Sequence, residues 1–280
     1  MLVDTYKNTA EHIACAHSKG LLVMVTTIKT LTRFPVKGLS GQTLDSVQLV
    51  SGQGFPGDRK FGFARPDSGF DINNPQPLPK SKFYTLARDA SLALLKTEFD
   101  DRTGMLSMST SHETHQFDIS TSQGKDKAGE FLKMYLSLPE NESPQLYEAS
   151  PHRFTDVAVV SSEMMNSISI INSESVNKFS ESIGVSVDPM RFRGNILISN
   201  LTPFAELDML GKEFSIGNAR LKIVKRTRRC PATEVNLETG ERDIKTPKLL
   251  KQHFDHMDMG VYAEVLAGGT ITPGEVVKFN

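Results

Sequence analysis

The chain of 280 residues reads as a β-rich α+β protein, a closed or strongly curved antiparallel β-structure with peripheral helices. Three observations lead there. Short runs rich in Val, Ile, Thr and Phe recur along the chain, bounded by Gly, Pro, Asn and Ser. Few segments carry apolar residues at the three- and four-residue spacing of a helix. Residues 139–151 hold three prolines among polar residues and divide the strand pattern in two.

Residues 21–34, dense in Leu, Val, Thr and Ile, predict a long strand that runs into Pro35 and a loop at 37–41. Strands follow at 43–50 and 60–64, separated by a turn at 52–58. Residues 65–80, rich in Pro, Asn and Gly, predict an exposed loop. The spacing of Phe83, Leu86, Ala90 and Leu94 predicts an amphipathic helix over 83–99. Short strands at 105–108 and 116–119 lead to a second helix at 128–138, stopped by Pro139. Beyond the divide, residues 157–160 read as a buried strand. Ser161 and Ser162 suit the N-cap of a following helix, with Glu163 in its first turn. Two short helices, broken near Asn172, extend to residue 183. Strands at 195–199, 213–216 and 219–228, a helix at 247–254, and strands at 261–266 and 276–279 complete the pattern.

Composition bounds the function. Apolar and charged fractions of 38% and 23% are ordinary for a soluble globular chain, and a net charge of −1 gives no general attraction to nucleic acid or an anionic membrane. Any anion site must be local. No run approaches the roughly 20 apolar residues of a membrane span, and no secretory signal is expected. The two cysteines, Cys15 and Cys230, form no disulfide framework, which suits a reducing, cytoplasmic location. Residues 1–20 read as a tail or a short docking helix.

Cys230 follows a basic strand-like run, Arg226-Thr227-Arg228-Arg229, and precedes Pro231. Nearby guanidinium groups favour the thiolate, the form that attacks or binds metal, while a lone cysteine is also a common inert filler. Pro231 biases Cys230 towards extended backbone, and residues 238–240 read as a tight turn. Along an extended segment alternate side chains share a face, which would align Arg191, Arg193 and Asn195. Such a row fits either an anion site or a solvated edge. Lys37 and Arg59 lie at loop–strand junctions beside glycines, where backbone approaches an anion closely. The pairs His112/His115 and His253/His256 lack a cysteine partner or an HExxH pattern and read as surface polar residues. Gly52-Gln53-Gly54 and Gly268-Gly269 lack the context of a nucleotide-binding loop.

Residues 229–236 with the turn at 238–240 resemble the cysteine motif of the MOSC family, named from the C-terminal domain of molybdenum cofactor sulfurase. Residues 33–41 and 56–59 resemble the opening of that family's companion N-terminal domain, 188–195 its third signature, and 259–265 with Gly268-Gly269 its closing strand. In pattern the chain is most similar to the amidoxime-reducing enzymes of mitochondria and their bacterial counterparts. The resemblance implies a MOSC β-barrel over 146–280, decorated by helices, and a smaller α+β N-terminal domain over 21–145. It also implies a molybdenum cofactor (Mo-molybdopterin), with Cys230 as both catalytic residue and metal ligand. Lys37, Gly38, Arg59, Ser161, Ser162, Arg191, Arg193, Asn195, Arg228 and Arg229 would hold that cofactor. Some relatives have serine where this chain has Gly38, so only the Gly38 backbone would serve there. The implied activity is reduction of small N-hydroxylated compounds, amidoximes and hydroxylamines, by a monomer. Electrons would come from a separate flavodoxin-, ferredoxin- or cytochrome-type protein, since two cysteines are too few for a [2Fe–2S] cluster. Two alternatives stay open: a sulfur-transfer protein carrying a persulfide on Cys230, and a cofactor carrier without turnover.

Overall fold

A computed structural model describes residues 25–280. In chain order the strands of the N-terminal half are β1 (Thr27–Arg33), β2 (Gln42–Leu44), β3 (Val47–Leu49), β4 (Phe61–Ala64), β5 (Lys96–Asp100), β6 (Met105–Ser109) and β7 (Thr114–Asp118). Helix α1 (Ser122–Tyr135) and strand β8 (Gln145–Glu148) follow. The second half holds β9 (Ile168–Asn172), α2 (Ser173–Ile183), β10 (Ile196–Ser199), β11 (Glu213–Ile216) and β12 (Ala219–Arg228). It ends with α3 (Thr246–Phe254), β13 (Asp258–Ala267), β14 (Gly269–Ile271) and β15 (Val277–Phe279).

Eight strands form one curled sheet in the order β15-β11-β12-β13-β9-β10-β1-β2. Only β9 and β10 run parallel, joined through α2; the other neighbours are antiparallel. The sheet curls far enough for its ends to meet. Thr27 bridges Val276, and Ile28 N–H donates to the Glu275 carbonyl at 2.9 Å. Curling removes exposed edges and encloses an aliphatic core that includes Leu31, Ile170, Ile196, Phe214, Leu221, Ile223 and Ala263. The expected barrel is borne out. The N-terminal half adds the three-stranded sheet β5-β6-β7, the pair β4-β8, and α1, packed around Phe61, Phe63, Phe99, Leu106 and Leu132. Strands β1 and β2 belong to the large sheet although they open the chain.

The strand at 219–228 forms over the expected residues, and its burial alternates along the apolar Ala219-x-Leu221-x-Ile223 face before bulges beyond Ile223 aim the basic end elsewhere. Other expectations need correction. Residues 83–99 are not one helix: Phe83 bridges Ala64, residues 90–94 make a short 3-10 turn, and β5 follows. The strand pairing of β5 with β6 outweighs a helical spacing that Leu94, which is exposed, would have needed to bury. Residues 157–160 form a 3-10 turn rather than a buried strand, with Val159 and Val160 exposed. The expected pair of short helices before residue 183 conceals β9, whose five residues are all buried. The strand 43–50 breaks at Asp45-Ser46 so that its halves pair with different partners, β1 and β14. Helix α1 starts at Ser122, six residues ahead of expectation, because Thr121 caps it by accepting from Gly124 N–H at 3.0 Å. Residues 21–24 and the tail lie outside the described residues.

Strand β13 passes β9 at Gly260, where φ is +74° and a Cβ would stand 2.2 Å from the Ile170 carbonyl oxygen. Gly260→Ala should therefore cost at least about 1–3 kcal/mol from backbone conformation alone. Urea unfolding should show a lower midpoint at constant m-value; an unchanged midpoint would contradict this register.

Candidate functional site

One cavity of about 640 Å3 opens between the barrel and the N-terminal half, a size in the range of roughly 300–1,000 Å3 that takes cofactor-sized ligands. Its wall brings together Lys37, Gly38, Arg59, Arg191, Arg193, Asn195, Arg228, Arg229 and Cys230, residues drawn from four stretches of sequence.

Cys230 stands just past β12 in extended backbone, φ −130° and ψ 172°, because Pro231 starts a 3-10 turn and cannot prolong the ladder. Thr233 closes that turn by donating from its N–H at 3.0 Å and its Oγ1 at 2.9 Å to the Cys230 carbonyl. The thiol is half-buried and free. Two anchors hold this turn against the N-terminal half. Val235 is fully buried in that half's core, and Arg242 donates to the carbonyls of Pro231, Leu86 and Ala87.

Another part of the wall concentrates positive charge. The guanidinium groups of Arg59 and Arg193 both lie over the Phe34 ring, at 4.6 and 4.3 Å from its centroid. Asp58 binds Arg59 with both carboxylate oxygens, at 2.7 and 2.6 Å, and also accepts from Phe34 N–H. Among the described residues Arg193 has no such partner. It donates Nη1 to the Leu39 carbonyl, while its buried Nη2 has no hydrogen-bond acceptor. Burial and the neighbouring Arg59 charge press its pKa down to about 9, so the charged form lacks a compensating anion. Lys37 is buried, donating to the Phe154 carbonyl at 2.9 Å and paired with Asp156. Burial lowers its pKa against the pull of Asp156, while Lys37 holds the Asp156 carboxyl below the usual range despite burial. Three threonines of the wall, Thr85, Thr155 and Thr227, carry buried Oγ1 atoms without partners.

The structure separates the expected residues into groups. Arg191, Arg193 and Asn195 do not lie along an extended segment; Pro189–Phe192 is a 3-10 turn and Arg193 is left-handed at φ +53°. Arg191 is committed to Asp243, at 2.6 and 2.8 Å, and to the Glu234 carbonyl. Asn195 is committed too, donating to the Thr32 carbonyl and accepting from Ser169 N–H. Arg229 spends its donors on the Met259 and Phe192 carbonyls. These three brace the wall. Gly38 has φ +83°, and a Cβ there would meet the Tyr84 carbonyl oxygen at 2.6 Å, which explains glycine at this position. Ser161 caps a five-residue 3-10 turn by accepting from Glu163 N–H, and it is not among the residues that line the cavity. The expected helix is thus a five-residue 3-10 turn. His115 instead packs on Phe131, and His256 on Phe204.

Sequence reasoning missed Lys80, at the end of the loop expected to be merely exposed. Burial alone would lower its pKa, but the nearby Cys230 sulfur raises it above the ordinary lysine value. Pro75, Pro77 and Pro79 stiffen the approach to Lys80, a signal that this loop holds a position. Asp58, Asp156 and Tyr262 were also missed; burial raises the Tyr262 pKa against the opposing charge of Arg229.

The bracing role of Arg191 yields a test. Asp243→Ala leaves a guanidinium, 5% exposed, without its carboxylate. The loss should be about 1.5–3 kcal/mol in chemical denaturation, the worth of hydrogen bonds to a charged group. A loss under about 0.5 kcal/mol, the level of an ordinary surface change, would make the pair incidental.

Comparison with known proteins accords with this geometry. The family model described as MOSC domain matches residues 153–278, and that described as MOSC N-terminal beta barrel domain matches residues 25–149. A protein named molybdenum cofactor sulfurase from Caenorhabditis briggsae is 24% identical over 99% of this chain and 39% of its own length. Its namesake from Caenorhabditis elegans is 26% identical over 93% of this chain and 37% of its own length. The chain thus spans under two fifths of the length of these relatives. Among solved structures, the YuaD protein of Bacillus subtilis overlays 91% of this chain and 96% of its own with a TM-score of 0.44 at 14% identity. That overlay is too loose to carry function. No helix among the described residues is long and apolar enough to cross a membrane.

Proposed function

Because this chain belongs to the MOSC family, with both the MOSC domain and its N-terminal companion, we propose that its cavity binds a molybdenum cofactor and reduces N-hydroxylated compounds. The observation that carries the reading is the clustering of unmet polar groups around one thiol. Among the described residues, four of the seven buried side-chain atoms without partners, Arg193 Nη2 and the Oγ1 atoms of Thr85, Thr155 and Thr227, belong to the wall that holds Cys230. Buried polar groups are ordinarily satisfied, so such a cluster marks a ligand's place. The donor set fits the proposed group. Cations and hydroxyls suit a phosphate and a pterin's polar edge, and a thiolate is a soft ligand suited to molybdenum.

In this account Arg193, Arg59 and Lys37 hold the anionic part of the cofactor, with Gly38 offering only backbone. Arg191, Asn195 and Arg229 shape the wall, and Cys230 ligates the metal. When bound, the cofactor supplies a two-electron redox centre. The protein's own groups do the rest. Lys80 sets positive charge beside the sulfur, and Thr233 fixes the backbone from which the sulfur projects. Conversion of an N-hydroxy group to N–H plus water consumes two electrons and two protons. These 280 residues hold two cysteines, too few for a [2Fe–2S] cluster, so in this account the electrons reach the cofactor from a redox centre outside them.

A second reading, sulfur carriage as a persulfide on Cys230, is favoured by the names of the relatives that match nearly all of this chain. Purified protein separates the two. The reductase reading expects molybdenum and pterin in the isolated protein, benzamidoxime reduction with reduced methyl viologen, and none with NADPH and this chain alone. Cys230→Ala, folded by circular dichroism, should lose at least about 100-fold in turnover, as expected where a reaction's central ligand is removed. A metal-free protein whose mass shows one extra sulfur on Cys230 would replace the reductase reading with the persulfide one.

A further inference from the structure

The outer wall of the cavity carries cations beyond Lys37, Arg59 and Arg193, which hold the cofactor in this account. Lys80, Lys225 and Arg228 line it, and among the described residues none is ion-paired with a carboxylate. The other outer arginine, Arg226, is neutralised by Asp208 at 2.8 Å. The acids of the inner end are engaged as well, Asp58 by Arg59 and Asp156 by Lys37. Asp258 stands opposite Arg228 in the strand register but makes no ion pair with it. Lys225 and Arg228 are exposed, and Lys225 lies on the strand next to Tyr262, itself in the wall. The mouth also shows apolar surface: Val160 is 61% exposed and Leu210 50%. With a net charge of −1 on the whole chain, this cationic and apolar mouth is a local feature.

Exposed cations without partners are solvated at little cost, so they ask for nothing on grounds of stability. Their effect falls on whatever approaches. A cleft lined by one sign of charge raises the local concentration of the opposite sign, and the low-dielectric walls strengthen it. Val160 and Leu210 add a surface that favours an apolar body over a bare ion. We infer that the substrate of the proposed reductase is an anion: a small N-hydroxylated compound whose apolar body carries a carboxylate or similar group met by Lys225 and Arg228. This rests on the reductase reading of the same site. It sharpens that reading from N-hydroxylated compounds in general to anionic ones.

The test compares benzamidoxime with 4-carboxybenzamidoxime on the metal-loaded protein, with reduced methyl viologen as donor. At low ionic strength the carboxylated compound should show a kcat/KM about three- to ten-fold higher, the scale of one or two exposed charge contacts in a charged cleft. The ratio should fall towards one as salt rises to about 0.5 M, where screening acts within roughly 4 Å. In Lys225→Glu the ratio should drop below one; taking a ratio cancels any shared loss of fold or metal loading. Calorimetric binding of both compounds without a donor should give the same ranking in wild type and its reversal in the variant. Equal kcat/KM values, or a ratio that ignores Lys225→Glu, would overturn the inference. If neither compound is turned over by loaded protein, the reductase reading fails instead, and the calorimetric ranking still decides whether the mouth selects anions.

Discussion

Arg193 is the residue on which the arrangement turns. Its guanidinium is packed against Phe34 and beside Arg59, with one buried nitrogen unmet and no carboxylate of its own. A folded chain tolerates such a charge only where the surroundings hold it in place. Here they do so in layers. The Phe34 ring faces both guanidiniums, and Asp58 fixes Arg59 and the Phe34 backbone together. Asn195 ties the segment after Arg193 to β1 and β9 through Thr32 and Ser169. Positive charge without its complement is the observation on which the proposal of an anion site rests.

The thiol shares a cavity with this charge because two halves of the chain are locked together at its turn. Val235 enters the N-terminal core, Arg242 reaches the carbonyls of Leu86 and Ala87, and Arg191 grips Asp243. Each contact crosses between segments far apart in sequence. The cavity wall is therefore a property of both halves, and the curled sheet acts as the frame that β1 shares between them. Strain in the cations and rigidity in the frame go together, as in many sites preorganised for charge.

The sequence disclosed the fold class and much of the site, for identifiable reasons. The strand 219–228 was readable because a clear alternation runs through its first half, and Pro231 ends the ladder just beyond Cys230. Strand β9 was hidden because Ile168–Asn172 is buried on both faces and shows no period of two. The segment 83–99 misled because apolar spacings of three and four also arise from 3-10 turns joined to a strand. Deciding between them needed the partner strand β6 and the bridge from Ala64 to Phe83, neither of which is local. The roles of the arginines were hidden for the same reason. Arg191 and Arg193 look equivalent in sequence, yet Asp243, 52 positions on, commits one and leaves the other unpaired.

The claim that this unpaired charge awaits an anion is tested most directly by thermal unfolding of cofactor-free protein across a series of inorganic phosphate concentrations, wild type beside Arg193→Met. Ligand that binds only the folded state stabilises it by mass action, about 2.7 kcal/mol at one hundred times its Kd. The account predicts that the wild-type midpoint climbs with phosphate at constant ionic strength, while that of the variant stays nearly flat. Parallel slopes for the two proteins would contradict it.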